Sequence, residues 1–284
     1  MSRHGLNERG FTIVEGLIVL VVSSLLVTLV FKYQVLQNKE YDIQGQISFL
    51  QKDVRSAMET LENDIRMAGS GFPKSALAGT ITLINGVGES QTQGGSSVAP
   101  DEIVVLNGAD GVRCVLTDST ANPLAPLKCD DVSRFTLGWA LIADVAGSEL
   151  FMITDIEESA SKLHHTTALS RNYRAGSQVL MAQYRHYSID AQTDADHPRL
   201  VAKDWDGTEW IIAENIEDIQ FTYLLDNHTE TTVQPADVDD LVMVRVNIVG
   251  RTERSDADFN EDGYRRRELS SKVQLRNFHL RKGI

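Results

Sequence analysis

Apolar residues run almost unbroken from residue 11 to residue 31, interrupted by Glu15, Gly16 and a few serines and threonines. A helix needs about 20 such residues to cross a hydrocarbon layer about 30 Å thick, so this run predicts a membrane-spanning helix. After Lys32 the pattern changes. Ile43, Ile47, Leu50, Val54, Met58, Leu61 and Ile65 recur three or four positions apart, with Lys52, Asp53, Arg55, Glu59, Glu62 and Asp64 between them. That is a single apolar stripe on a polar helix. No proline falls between Phe11 and Phe72, and Gly69, Gly71 and Pro73 then supply a stop. The two patterns join into one helix over residues 11–68, apolar all round in its first third and amphipathic beyond. The stripe predicts docking onto a sheet of the same chain. An independent coiled coil over about three heptads is the other arrangement it allows.

Past Ala78 the period shortens to two. Residues 81–84, 103–106, 112–116, 139–145, 149–154 and 179–187 read as strands, with Ala146-Gly147-Ser148 as a tight turn. Asp204-Trp205-Asp206-Gly207 marks a hairpin between 199–203 and 208–212. Trp205 and Trp210 read as sheet-packing residues rather than a ligand platform. Ile219, Phe221 and Tyr223 alternate with polar neighbours, as do Val242, Val244, Val246 and Ile248, and then Val273 and Leu275. Residues 86–100, rich in Gly, Ser and Gln, read as a loop. The pattern therefore predicts an α+β fold with one long N-terminal helix packed on a C-terminal antiparallel β-sheet domain. Its parts are a leader (1–10), a membrane-spanning segment (11–31), the amphipathic continuation (32–69) and a β-rich globular region (70–284).

Composition narrows the chemistry. The chain has 284 residues, 24% charged and 42% hydrophobic, which is globular composition. Its net charge of −13, with Arg265-Arg266-Arg267 the one basic run, argues against nucleic-acid binding. Cys114 and Cys129 can persist as a disulfide if this part of the chain lies outside the cytoplasm; two unlinked, partly buried thiols are the other reading. Asp258, Asn260 and Asp262, followed by Gly263, match the first half of a calcium loop. The match fails at its twelfth position, Leu269, so an acidic hairpin loop competes with a calcium site. No other cofactor is implied. There is no nucleophile elbow, phosphate-cradling glycine loop or zinc-protease helix, and nothing argues for an enzyme.

The N-terminus carries the most specific signal. Arg3 and Arg9 precede the span and favour a cytoplasmic N-terminus. The stretch Arg9-Gly10-Phe11-Thr12-Ile13-Val14-Glu15, followed by the apolar run, resembles the processing signature of type IV prepilins and pseudopilins. The resemblance implies that a prepilin peptidase cuts between Gly10 and Phe11 and N-methylates Phe11. It also implies that Glu15 serves subunit assembly. Gly16 departs from the family pattern, where a larger apolar residue is commoner, and the span lacks the proline of many major pilins.

Further segments resemble the PilW group of minor pilins. They are Leu61-Glu62-Asn63-Asp64-Ile65-Arg66-Met67-Ala68-Gly69, the run from Ala213 to Tyr223, Val244-Arg245-Val246-Asn247-Ile248 with Arg251, and Val273-Gln274-Leu275-Arg276-Asn277. That resemblance implies a pilin-like fold and a role in initiating or capping a type IV pilus. It places the protein in the inner membrane as a single-pass protein with a periplasmic domain, and later in the pilus at the cell surface. The implied partners are prepilin peptidase, other minor pilins, the major pilin, the pilus assembly platform and a tip adhesin. Pseudopilins of type II secretion systems share the same N-terminal signature. If Gly10–Phe11 stays uncut, the alternative is a membrane-tethered extracytoplasmic binding domain or enzyme.

Overall fold

The computed structural model describes residues 13–72, 81–84, 91–93, 96–232, 241–259 and 262–275. The chain divides into two compact units, Met1–Phe49 and Leu50–Ile284. Helix α1 runs Ile13–Met67. In the first unit every helical residue from Ile13 to Asn38 is exposed, including Leu17, Leu20, Leu25 and Leu29. This stretch is long and apolar enough to cross a membrane.

In the second unit α1 buries Leu50, Val54, Ala57, Met58, Leu61 and Ile65, the predicted stripe with Ala57 added. Ile43 and Ile47, which precede this unit, are half-exposed. The helix stops at a turn whose Gly69 and Gly71 have φ of 70° and 79°, a conformation that favours glycine.

Among the described residues sixteen strands follow. Strands β1 (Ile81–Ile84), β2 (Gln91–Gln93) and β3 (Ser96–Val98) precede the long β4 (Glu102–Val115). Next come β5 (Leu127–Lys128), β6 (Gly138–Asp144), β7 (Gly147–Ile153), β8 (Asp155–Glu157) and β9 (Lys162–His164). Then β10 (Gln178–Asp190), β11 (Arg199–Lys203) and β12 (Glu209–Glu214) complete the first half of the domain. The last four are β13 (Ile216–Leu225), β14 (Glu230–Thr231), β15 (Leu241–Arg251) and β16 (Arg266–Gln274). A seven-stranded sheet has the order β1-β4-β10-β11-β12, with β6 also beside β10 and β7 beside β6. A four-stranded sheet has the order β14-β13-β15-β16. Every pairing is antiparallel. The fold is α+β, with the end of a long helix packed on antiparallel sheets.

Two cores result. The first joins the Leu50–Ile65 face of α1 to Ile219, Phe221 and Tyr223 of β13, Val244 and Val246 of β15, and Tyr187 of β10. The second gathers Cys114, Cys129, Phe135, Ile142, Phe151, Tyr173 and Val179. β4 and β10 are long enough to serve both: Ile103 and Tyr187 lie in the first core, Cys114 and Val179 in the second. Each fully buried Leu, Ile or Phe contributes roughly 1.5–3 kcal/mol over an exposed one.

The structure departs from the sequence reading along β4, within residues 86–100, and at the β6–β7 turn, which falls on Val145-Ala146 and not on Ala146-Gly147-Ser148. The strands expected at 103–106 and 112–116 are one continuous strand, β4. Gly108 lies between them and sits under the turn that ends α1. Its N–H donates to the Ser70 carbonyl (2.7 Å), and a Cβ there would stand 2.8 Å from the same oxygen. The glycine marks a close approach, not a break. Within the loop expected over 86–100, β2 and β3 pair as a short hairpin.

Candidate functional site

The first-turn carboxylate of α1 is Glu15. The helix N-terminus carries partial positive charge, so an acid there is favourable. Around it the helix is apolar even where its sequence is not. Ser24 Oγ donates to the Val21 carbonyl and Thr28 Oγ1 to the Ser24 carbonyl, both at 2.8 Å. The hydroxyls are thus returned to the backbone, as a hydrocarbon environment requires. Nothing lies within 4 Å of a Cβ built on Gly16, so the space for a larger residue exists. Gly10 and Phe11 lie outside the described residues.

Cys114 and Cys129 form a disulfide, with Cα atoms 5.8 Å apart. It closes a loop whose ends are held by the Leu116–Cys129 bridge. Both cysteines are buried in the second core.

The acidic hairpin between β15 and β16 is locked by arginines. Arg266 Nη2 donates to Asp262 Oδ2 (2.6 Å) and Arg265 Nη2 to Asp256 Oδ2 (3.1 Å). The Arg266 hydrogen bond holds the Asp262 carboxyl below the usual range. Of the residues in the calcium motif, Asp262 is therefore already engaged by a cation, Asp258 lies in an exposed turn, and Asn260 is outside the described residues. Among the described residues no group of three or more His, Cys, Asp or Glu side chains is arranged to hold a metal.

Arg266 also reaches inward. Its Nε and Nη2 donate to Glu217 Oε2 and Oε1 at 2.6 and 2.9 Å, a bidentate pair. Arg251 Nη1 stands 3.7 Å from the same carboxylate, and its Nη2 donates to the Ala195 and Asp196 carbonyls. Glu217 is fully buried. These contacts fasten the acidic hairpin and the 194–197 loop to β13. Elsewhere Tyr187 donates to Asp64 (2.5 Å) and ties α1 to β10. Arg171 pairs with Asp144 through both oxygens, at 2.8 and 2.6 Å, and pulls its carboxyl down to about 2.

Sequence reasoning missed these pairs. Arg265 and Arg266 read as a basic run, and the partner of Arg266 is 49 positions away. The two tryptophans also differ. Trp205 packs its indole against Gly138, where a Cβ would come within 2.6 Å of Nε1, whereas Trp210 is 41% exposed beneath the Arg185 guanidinium. No protein-family model, curated protein or solved structure matches the chain.

Proposed function

We propose that the chain is a minor pilin of the PilW type that initiates or caps a type IV pilus after processing by prepilin peptidase. The observation that carries this reading is Glu15, a carboxylate in the first turn of an exposed apolar helix, four residues after Phe11. Cleavage there frees the Phe11 amine, which is positive at neutral pH. Two opposite charges attract strongly in a low-dielectric medium, while either alone is costly. Setting the amine of one subunit against Glu15 of the next fixes the register of neighbouring helices as they leave the lipid. The same apolar surface then exchanges lipid contact for contact with other subunits.

The Cys114–Cys129 disulfide supports a domain outside the cytoplasm, where such bonds persist. In this reading the N-terminus starts in the cytoplasm and the sheet domain lies in the periplasm. Partners are the peptidase, the major and other minor pilins, the assembly platform and a tip adhesin. Mass spectrometry of the N-terminus in cells with and without prepilin peptidase tests the reading. The expected product begins at N-methyl-Phe11 only when the peptidase is present; an intact Met1 in both strains overturns it.

A further inference from the structure

The turn between β13 and β14 carries a modification signal that its geometry supports. Asn227-His228-Thr229 is the one place in the chain where an asparagine stands two positions before a serine or threonine with no proline between them. That spacing is the acceptor pattern for N-linked glycosylation. Three residues alone match often by chance, so the local structure decides. Residues 226–230 are all exposed. Two backbone bonds close the turn, from the His228 N–H to the Leu225 carbonyl (3.0 Å) and from the Leu225 N–H to the Thr229 carbonyl (2.9 Å), with His228 at a φ of 66°. β14 pairs with β13 only at Tyr223–Thr231 and Leu224–Glu230. So short an edge strand opens locally at low cost, which lets an enzyme draw the turn into its own site.

The asparagine side chain folds back on the threonine. Asn227 Oδ1 accepts from the Thr229 N–H (2.9 Å) and from the Thr229 hydroxyl (2.6 Å). The first bond is ordinary turn chemistry, which needs only the asparagine. The second needs a hydroxyl at position 229. Together they occupy the carbonyl end of the side chain and leave Nδ2, with its two N–H donors, without a partner among the described residues. An amide nitrogen is a poor nucleophile because its lone pair is delocalised into the carbonyl. Donors on Oδ1 draw electron density out of the carboxamide and lower the cost of removing a proton from Nδ2, which frees that lone pair for attack.

We propose that Asn227 is the acceptor of an N-linked glycan, transferred from a donor sugar activated as a diphosphate ester. Nδ2 gives a proton to a base of the transferring enzyme and bonds to the anomeric carbon. The bond from that carbon to the diphosphate oxygen breaks, and its electron pair leaves with the diphosphate. A bulky, polar glycan at this position stands at the end of the β13–β14 hairpin, on the outer strand of the four-stranded sheet. There it shields an edge whose unpaired backbone groups would otherwise template another strand. The site rests on the reading that places the sheet domain outside the cytoplasm, since acceptors of this kind lie on surface loops of exported proteins. It is independent of how the N-terminal helix is used.

The test uses the full chain isolated from its native cells. Trypsin releases residues 204–245 as one peptide, because no lysine or arginine falls between Lys203 and Arg245. A sugar mass on that peptide is expected, localised to Asn227 by electron-transfer fragmentation. Asn227→Gln and Thr229→Val should lose it, and Thr229→Ser, which keeps the hydroxyl, should retain it. Both positions are exposed, so far-UV dichroism should stay unchanged in all three variants. The oxidation state of Cys114 and Cys129 in the same sample separates two ways of failing. A bare Asn227 beside an oxidised pair overturns the site alone. A bare Asn227 beside two free thiols overturns it together with the extracytoplasmic placement. A sugar found on Thr229 or Thr231 instead, or one retained by Thr229→Val, also overturns the proposal.

Discussion

Replacing Arg266 by alanine leaves the Glu217 carboxylate buried with only Arg251, at 3.7 Å, for compensation. Breaking a buried ion pair from one side costs about 3–5 kcal/mol, and the surviving Arg251 contact puts this case near the lower end. Denaturant unfolding of Arg266→Ala should show a lower midpoint with an unchanged slope. Asp144 gives a pH prediction. Arg171 pulls its carboxyl from 3.8 down to about 2 in the folded chain. A depressed carboxyl contributes stability that is fully present above its unfolded value and is lost as pH falls through the folded one. Thermal melts from about pH 5 to pH 2 should therefore fall more steeply for the wild type than for Asp144→Asn. Parallel curves for the two proteins would sink that assignment. Neither pair was legible in the sequence. Arg266 and Glu217 belong to different strands, and only the folded register brings them together, whereas the acid at position 15 stood out because everything around it is apolar.

Elements were far more legible than pairs. The stripe on α1 and the alternations in β13 and β15 each follow from one face being buried, and a period needs no knowledge of partners. The hairpins were legible for the same local reason, although the β6–β7 turn falls on Val145-Ala146, ahead of the expected Ala146-Gly147-Ser148. The continuity of β4 was not, because Gly108 looks like a strand breaker until the end of α1 is placed over it. A second glycine of this kind tests how the helix seats. A Cβ on Gly250 of β15 would lie 2.7 Å from both Leu50 Cδ1 and Val54 Cγ2, and 3.2 Å from the Asn215 carbonyl. The helix face and the strand thus meet without room for a methyl group. Gly250→Val should cost roughly 1–3 kcal/mol through overpacking, read as a lower denaturation midpoint. Adding Leu50→Ala should recover part of that loss, since the truncation opens the space the new side chain needs. A double variant no more stable than the sum of the two single losses would show that the contact is not what limits this site.

For the whole molecule, the α+β class followed from the order of periods along the chain, but the division into two cores did not. It depends on β4 and β10 being long enough to leave one core and enter the other. The apolar start of α1 raises the question of what its exposed surface is for. A simple anchor needs only length and hydrophobicity, and Glu15 serves no purpose in it. An assembling helix needs a group that distinguishes one register from the next. Glu15→Gln separates the two cases because it keeps size and hydrogen-bonding capacity while removing the charge. An anchor should tolerate it. An assembling helix should still be cut at Gly10–Phe11, since the peptidase acts on the bond and not on the later pairing, but should enter filaments less well. Losing one charge-pair contact worth about 1.4 kcal/mol would reduce incorporation about tenfold. Mass spectrometry of the N-terminus reads the first effect, and immunoblotting of sheared filaments against membranes reads the second. Normal processing with undiminished incorporation would remove the charge pairing from the mechanism and leave α1 as an anchor alone.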